Sequence, residues 1–542
     1  MTAATDTFVH DRLPPPEQLP TLLLDRPEQQ WPAQLNVVDW LFDRARAHGH
    51  SERPLLRSDD RTLSYAEAET EVRRLGHWLV HTQGLLPGHR VLLRGGNSVA
   101  MALCWLAVVR CGAVAVATMP LLRAKELLTI LDKAQPQLAL CDARLTDELD
   151  QAIAQHGREL PRVAFHSTVS DGLEAAVARL PADANTPAHS GAATEIAMMA
   201  FTSGTTGAPK AALHSHRDIA AACEAWPRHV LRATPDDVVV GSPPLAFTFG
   251  LGGLLVFPMW AGASVYFAPA PYTPESLVRT IGRVGATICY TAPTFYRQMA
   301  PFARELGVGR LRTTVSAGEG LPDATRQLWK DASGIEMLDG IGATEMFHIF
   351  ISSPPESVKR GAIGQVVPGY EARIVDEHGN ELPRGTVGRL AVRGPTGCKY
   401  LADERQARYV QDGWNFPGDA FLQDEDGYFF YQARTDDMII TAGYNVAGPE
   451  VEASLLLHPA VAECGVVGRP DDERGMVVVA YVVLKPSHTP DAATVQALQD
   501  HVKRDLAPYK YPRDVRFVNQ LPRTETGKLQ RFALRQLVQT ST

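Results

Sequence analysis

The sequence predicts an α/β protein: a large N-terminal domain of doubly wound, mainly parallel sheets plus a small β-meander or barrel, followed by a small α+β domain. Three observations predict it. Over roughly the first 200 residues, and again over 236–300, short apolar runs alternate with helix-like segments, as β–α units do. Beyond residue 365 the pattern turns to alternation punctuated by turn residues. At 542 residues the chain is also too long for one ordinary core.

Taken in order, "RVLLRGG" (90–96) reads as a strand ending in a glycine loop, "SVAMALCWLAVVRCG" (98–112) as a helix stopped by glycine, and "QLALCD" (137–142) as a strand. "EIAMMAFT" (195–202), "DVVVGSPP" (237–244), "GASVYFAP" (262–269) and "GATICYTAP" (285–293) add further strands. "YEARIVDEHGNELPRGTVGRLAVRG" (370–394) alternates around His378-Gly379-Asn380 and Pro383-Arg384-Gly385, as an antiparallel meander does. After "YQARTDDMIITAGYN", the stretch "CGVVGRPDDERGMVVVAYVVLK" (464–485) reads as two strands and "ATVQALQDHVKRDL" (493–506) as a helix. The texture changes between 420 and 445, which divides the chain into 1–435 and 436–542.

Composition excludes several classes. Hydrophobic residues are 45% and charged residues 21%, a soluble globular balance, and a net charge of −8 gives no reason to expect nucleic acid or a membrane surface as partner. The most apolar stretch, 101–120, is broken by Arg110 and Gly112 and reads as a buried helix entering a strand. Seven cysteines without CxxC or regular spacing fit reduced thiols in a cytoplasmic protein, and the proline-rich, charged first 30 residues lack the apolar core of a signal peptide. "HSH" (His214, His216) has i, i+2 spacing and no third ligand nearby, which argues against a metal site.

The stretch "TSGTTGAPK" (202–210) has the glycines, hydroxyls and lysine of a phosphate cradle. It is not the nucleotide P-loop: Pro209 precedes Lys210 and Ala211 follows it, where a magnesium-binding hydroxyl belongs. Three motifs follow in order: "DGIGATE" (339–345), "WNFPGDAFLQDEDGYFFYQARTDDMI" (414–439) and "PRTETGKLQR" (522–531). Together the four resemble the adenylate-forming superfamily of acyl- and aryl-CoA ligases, adenylation domains and luciferases, over roughly residues 35–540. "SAGEGLP" and "DGIGATE" look most like the benzoate and 2-aminobenzoate (anthranilate) CoA ligases.

The resemblance implies an AMP-forming acid–thiol ligase that uses ATP, Mg²⁺ and coenzyme A. A carboxylate attacks the α-phosphate to give an acyl-adenylate and pyrophosphate, and a thiol then takes the acyl group. It implies that Thr202, Ser203, Gly204, Thr205, Thr206, Gly207 and Lys210 hold the phosphates, and that Thr344 and Glu345 contact phosphate, Glu345 also binding the metal. Asp419 and Arg434 would hold the ribose, and Ala317, Gly318, Glu319, Asp339, Gly340 and Ile341 would surround the adenine; many relatives have tyrosine in place of Ile341. Lys528 would bridge carboxylate and α-phosphate in the transition state. Asp436 would be the hinge of a mobile C-terminal domain, with Gly443 and Tyr444 lining the thiol channel.

For the acid, "PPLAFTFGLGG" (243–253) forms one pocket wall in the family. Thr248 stands where α-amino-acid enzymes carry an aspartate, so a buried ammonium would lack its partner and an α-amino acid is disfavoured. Phe247, Phe249, Tyr290, Phe347, His348, Gly342 and the small residues Gly340 and Ala317 outline a short pocket for a flat aromatic acid. His348 lies where a polar ring substituent would be read, which points to 2-aminobenzoate; a satisfied core histidine is the equal alternative. Other readings are an adenylation enzyme that loads a carrier protein, an inactive adenylate-binding sensor, and a luciferase-type oxygenase on fold analogy alone. Retention of Lys528 and Glu345 argues against the sensor. A homodimer is compatible with the sequence.

Overall fold

The computed structural model describes residues 5–202, 209–269, 272–318, 320–441, 444–471, 474–523 and 528–539, with residues 436, 445, 508, 538 and 539 described by their backbone alone. Ser203, Gly204, Thr205, Thr206, Gly207, Glu319 and Gly443 therefore lie outside the described residues.

Two large sheets carry the N-terminal domain. The first runs Arg162–Phe165, Leu138–Asp142, Arg90–Arg94, Val114–Thr118, Ile196–Thr202, Lys210–Ser215; its first five strands are parallel and the last is antiparallel. The second has nine strands. Its parallel centre runs Met337–Gly342, Thr313–Ser316, Ile288–Thr291, Val238–Gly241, Ser264–Tyr266, Pro54–Arg57, with antiparallel strands at both ends. The central strands of both sheets are buried, which is why they read as continuous apolar runs rather than alternating ones.

The helix Val99–Arg110 shows how a membrane-like stretch becomes a core element. Every residue of it except Ala100 is buried, so it is apolar all round. Its single charge is satisfied internally: Arg110 pairs with Asp39 at 2.7 Å and donates to the Thr186 carbonyl at 2.6 Å. No helix among the described residues is long and apolar enough to cross a membrane.

The meander expected after residue 365 is a six-stranded antiparallel sheet, in which Glu371–Val375 pairs with Gly388–Arg393 and Asp419–Gln423 pairs with Phe429–Arg434. One stretch of it leaves to join the first large sheet. Leu213 donates to Lys399 and Leu401 donates to Ala211, at 2.8 and 3.0 Å, so residues 399–401 lie against the edge strand Lys210–Ser215. Lys399 then meets fully buried Asp218 at 2.6 Å. The small C-terminal domain is a mixed sheet, Tyr444–Val446, Ile439–Thr441, Gly475–Leu484 and Val461–Asp471, with Asp514–Phe517 parallel to Gly475–Leu484. The helices Gly448–Leu457 and Ala492–Asp505 pack on its core.

The Lys399–Asp218 pair ties the stretch 399–401 to the helix His216–Glu224 that follows the edge strand, and breaking it strands a buried carboxylate. Lys399→Met is expected to lower stability by about 3–5 kcal/mol in urea unfolding, with much of the loss recovered by adding Asp218→Asn. A loss below about 1 kcal/mol would contradict this role.

Candidate active site

The site forms at the carboxyl ends of the parallel strands, where open α/β sheets bind ligands. Thr202 ends one strand of the first sheet and Lys210 begins the next, and the two are register partners in an antiparallel pair. Lys210 opens a strand rather than a helix, in keeping with the proline before it. Thr202 Oγ1 is buried without a partner among the described residues.

Thr344 and Glu345 sit in a short 3₁₀ turn, Thr344–Met346, that follows the strand Met337–Gly342. Neither caps a helix by its side chain, because Ala343 occupies the cap position. The Thr344 carbonyl accepts from His214 Nε2 at 2.8 Å. Burial holds the His214 pKa down to about 4, so the ring is a neutral donor. Glu345 is buried and accepts from the Tyr400 hydroxyl, while Lys210 Nζ lies 3.7 Å from the same carboxylate. Burial and the adjacent Glu345 push the Tyr400 hydroxyl far above its ordinary pKa, which keeps it a donor. No group of three or more His, Cys, Asp or Glu that could hold a metal ion lies together among the described residues. A single carboxylate suits Mg²⁺, which takes most of its oxygens from phosphate and water.

Asp419 and Arg434 are register partners on neighbouring strands, 3.3 Å apart, with Asp419 buried. Arg434 Nη1 also donates to Pro417 at 2.7 Å. The close approach requires Gly418: a Cβ there, at φ +85°, would lie 2.7 Å from Arg434 Nη2. Ala317 is buried, and a methyl built on Gly318 would lie 3.7 Å from Lys528 Cε, so the exposed Lys528 reaches this strand-end loop from the small domain. Asp339 is buried, and burial pushes its carboxyl up to about 7, Arg326 at 3.8 Å offsetting only part of the effect. Gly340 packs under Ile349, where a Cβ would meet that side chain at 2.7 Å, and half-buried Ile341 pairs with Ile351. Asp436 lies in the 3₁₀ turn Thr435–Asp437 that leads into the small domain. Tyr444 is exposed and stacks on Tyr509 at 4.5 Å.

Residues expected to hold the acid fall in an aromatic cluster around His348. The His348 ring lies 4.6 Å from Phe257, 5.3 Å from Trp226 and 5.6 Å from Phe249, and Tyr290 lies 5.6 Å from Phe249 and 6.3 Å from Trp226. Two glycines of "FGLGG" (249–253) admit these rings: a Cβ on Gly252 would stand 2.7 Å from His348 Cδ2, and one on Gly253 2.7 Å from Tyr290 Cε1. Gly342 likewise lets the His348 backbone pass, since its Cβ would meet that carbonyl at 2.5 Å. Thr248 is buried at the start of the helix Thr248–Leu251, and Phe347 is buried with φ +70°, edge-on to His214 at 5.4 Å. Phe247 occupies the cap position of that helix and makes none of these ring contacts among the described residues. Trp226 and Tyr400, which no motif marks, are the residues that sequence reasoning missed.

The Phe249 backbone favours the protonated His348 ring, but at full hydrogen-bond geometry neither ring nitrogen of His348, nor Tyr290 Oη, nor Trp226 Nε1, has a partner among the described residues, although all are buried. Burial pulls the His348 pKa down to about 3, so the ring is neutral and keeps an accepting nitrogen.

A model of the AMP-binding enzyme family matches residues 43–400, and one of the AMP-binding enzyme C-terminal domain matches 450–528. A benzoate–CoA ligase of Thauera aromatica is 34% identical over 520 residues, spanning 93% of this chain and 96% of that protein. Among solved structures, an anthranilate CoA ligase in complex with anthranoyl-AMP superposes with a TM-score of 0.89 at 32% identity, covering 95% of this chain and 99% of that one. A benzoate CoA ligase from Burkholderia xenovorans LB400 gives 0.83 at 31% identity, covering 92% and 100%.

Three buried histidines make stability acid-sensitive. His214 and His216 are held down to about 4 and His348 to about 3, against 6.5 when exposed. Below 6.5 the unfolded chain takes up protons that the folded chain refuses. The stability present above that pH is therefore lost as pH falls toward 4, by about 1.4 kcal/mol per pH unit for each histidine. The melting temperature is expected to drop steadily between pH 6.5 and 5, less steeply in His348→Leu; a flat profile would contradict it.

Proposed function

The chain belongs to the AMP-binding enzyme family, and from that premise we propose that it activates a benzoate carrying a polar ring substituent, 2-aminobenzoate foremost, for transfer to coenzyme A. It is an AMP-forming acid–thiol ligase with ATP and coenzyme A as substrates and Mg²⁺ as the metal. The observation that carries the substituent is the aromatic cluster around His348. Buried polar atoms cost free energy when unpaired, and this pocket gathers four of them on three side chains. A bare benzoate ring would leave them unpaired. An aryl amine would donate one N–H to the neutral His348 nitrogen and the other to the Tyr290 hydroxyl oxygen.

In the first half-reaction a carboxylate oxygen of the acid bonds to the α-phosphorus and the bond to pyrophosphate breaks. Lys528, reaching Gly318 from the small domain, would sit between the two anions and stabilise the charge that they share in the transition state. Asp419 and Arg434 would hold the ribose, Ala317, Gly318, Asp339, Gly340 and Ile341 the base, and Thr202 and Lys210 the phosphates. When bound at Glu345, Mg²⁺ would neutralise charge on the phosphate oxygens. In the second half-reaction the thiol sulfur bonds to the acyl carbon, AMP leaves, and the thiol proton passes to solvent. We place Asp436 at the hinge that would withdraw Lys528 between the halves, and Tyr444 beside the thiol's path; its 3₁₀ turn joins the domains. Seven free, buried cysteines suit a cytoplasmic setting.

Lys528→Ala tests the division of labour. Pyrophosphate exchange is expected to fall by about two orders of magnitude or more, the scale of lost transition-state charge stabilisation. A supplied aroyl-adenylate should still pass to coenzyme A at a near wild-type rate. Unchanged exchange would remove Lys528 from the first half-reaction, and equal loss of both steps would contradict the alternation.

A further inference from the structure

A cation already faces Glu345. Lys210 Nζ lies 3.7 Å from Glu345 Oε1, and the Tyr400 hydroxyl stands between them, accepting from Lys210 at 2.9 Å and donating to Glu345. The ammonium also lies over the Tyr400 and Tyr409 rings, 4.9 and 5.9 Å from their centroids. This arrangement is built into the backbone. Tyr400 bridges Ala212, two residues beyond Lys210, and Lys399 and Leu401 on either side bond to the same edge strand. Lys210 and Glu345 thus neutralise one another where the chain has little freedom to part them.

The same lysine closes the phosphate loop, so two anions compete for one ammonium. We propose that Lys210 is a resident counter-ion for Glu345, locked by Tyr400, and that it admits a divalent cation to Glu345 only together with the phosphates that draw Lys210 away. A cation that approached Glu345 alone would meet a like charge 3.7 Å from the carboxylate it seeks. Phosphate oxygens reverse the balance by giving Lys210 another partner and exposing the carboxylate. By linkage, phosphate must tighten metal binding by the factor with which metal tightens phosphate binding. Free metal then binds weakly and the metal–nucleotide complex binds as a unit. The inference rests on the adenylating reading of the site.

The test is binding of Mn²⁺, followed by electron paramagnetic resonance of the free ion, with and without ATP. Lys210→Met is expected to bind Mn²⁺ alone about tenfold more tightly than the wild type, and Mn²⁺ with ATP more weakly. Adding Glu345→Gln should abolish the gain. Tyr400→Phe keeps the ring and loses the hydroxyl bridge, so it should show a smaller gain, and it tests the lock even where Lys210→Met fails to fold. Nucleotide-free Mn²⁺ affinity unchanged in both single variants would overturn the proposal, as would a gain that survives Glu345→Gln. If the wild type binds Mn²⁺ and ATP together but these variants behave so, the counter-ion falls and the ligase reading stands. If it binds neither, both fall.

Discussion

Six residues, Ala343–His348, reverse the chain between the strands Met337–Gly342 and Ile349–Ser352, and the chemistry on both sides depends on that turn. Its first half presents Glu345 toward Lys210, and its last residue puts His348 into the aromatic cluster. Between them Phe347 adopts φ +70°, a conformation that costs a bulky residue about 1–3 kcal/mol and persists only when its surroundings over-determine it. The surroundings do so. His214 bonds the Thr344 carbonyl and meets the Phe347 ring edge-on, and Tyr400 holds Glu345. Glu345 and the His348 ring are thereby fixed by the same few contacts.

Burial then sets the charge of each part. His348 is neutral because its aromatic cage cannot solvate an imidazolium, which leaves one ring nitrogen with an accepting lone pair. Glu345 is equally buried but keeps a counter-ion at 3.7 Å. On the proposed reading, one side of the turn would receive a neutral ring substituent and the other a cation passed between protein and phosphate. A charged amino acid finds no carboxylate at Thr248, and the geometry around that residue is apolar and helical.

The fold was legible because the pattern that betrays it is local. Val99–Arg110 and Leu138–Asp142 are apolar runs of the lengths that buried helices and strands need, and the meander's turns are written in Gly379 and Gly385. The loop and the three motifs were legible for the same reason, being contiguous. What stayed hidden is what distant segments make together. Trp226 enters the pocket from the chain just before Pro227, 122 residues before His348, and Tyr400 meets Glu345 across 55 residues. Lys399 and Asp218 are separated by 181. Phe247, which its place in the motif marks as a wall, sits at the cap position of the helix Thr248–Leu251.

The central claim is that the unpaired polar atoms of the His348 cluster await a substituted aromatic acid that is carried on to coenzyme A. The most direct measurement is AMP release with ATP and Mg²⁺ across benzoate, 2-aminobenzoate, salicylate, cinnamate, hexanoate and phenylalanine, each with and without coenzyme A. The account predicts coenzyme A-dependent release that is fastest with an ortho-substituted benzoate, 2-aminobenzoate ahead of benzoate. Release fastest with hexanoate or unsubstituted benzoate, or pyrophosphate exchange without coenzyme A-dependent turnover, would contradict it.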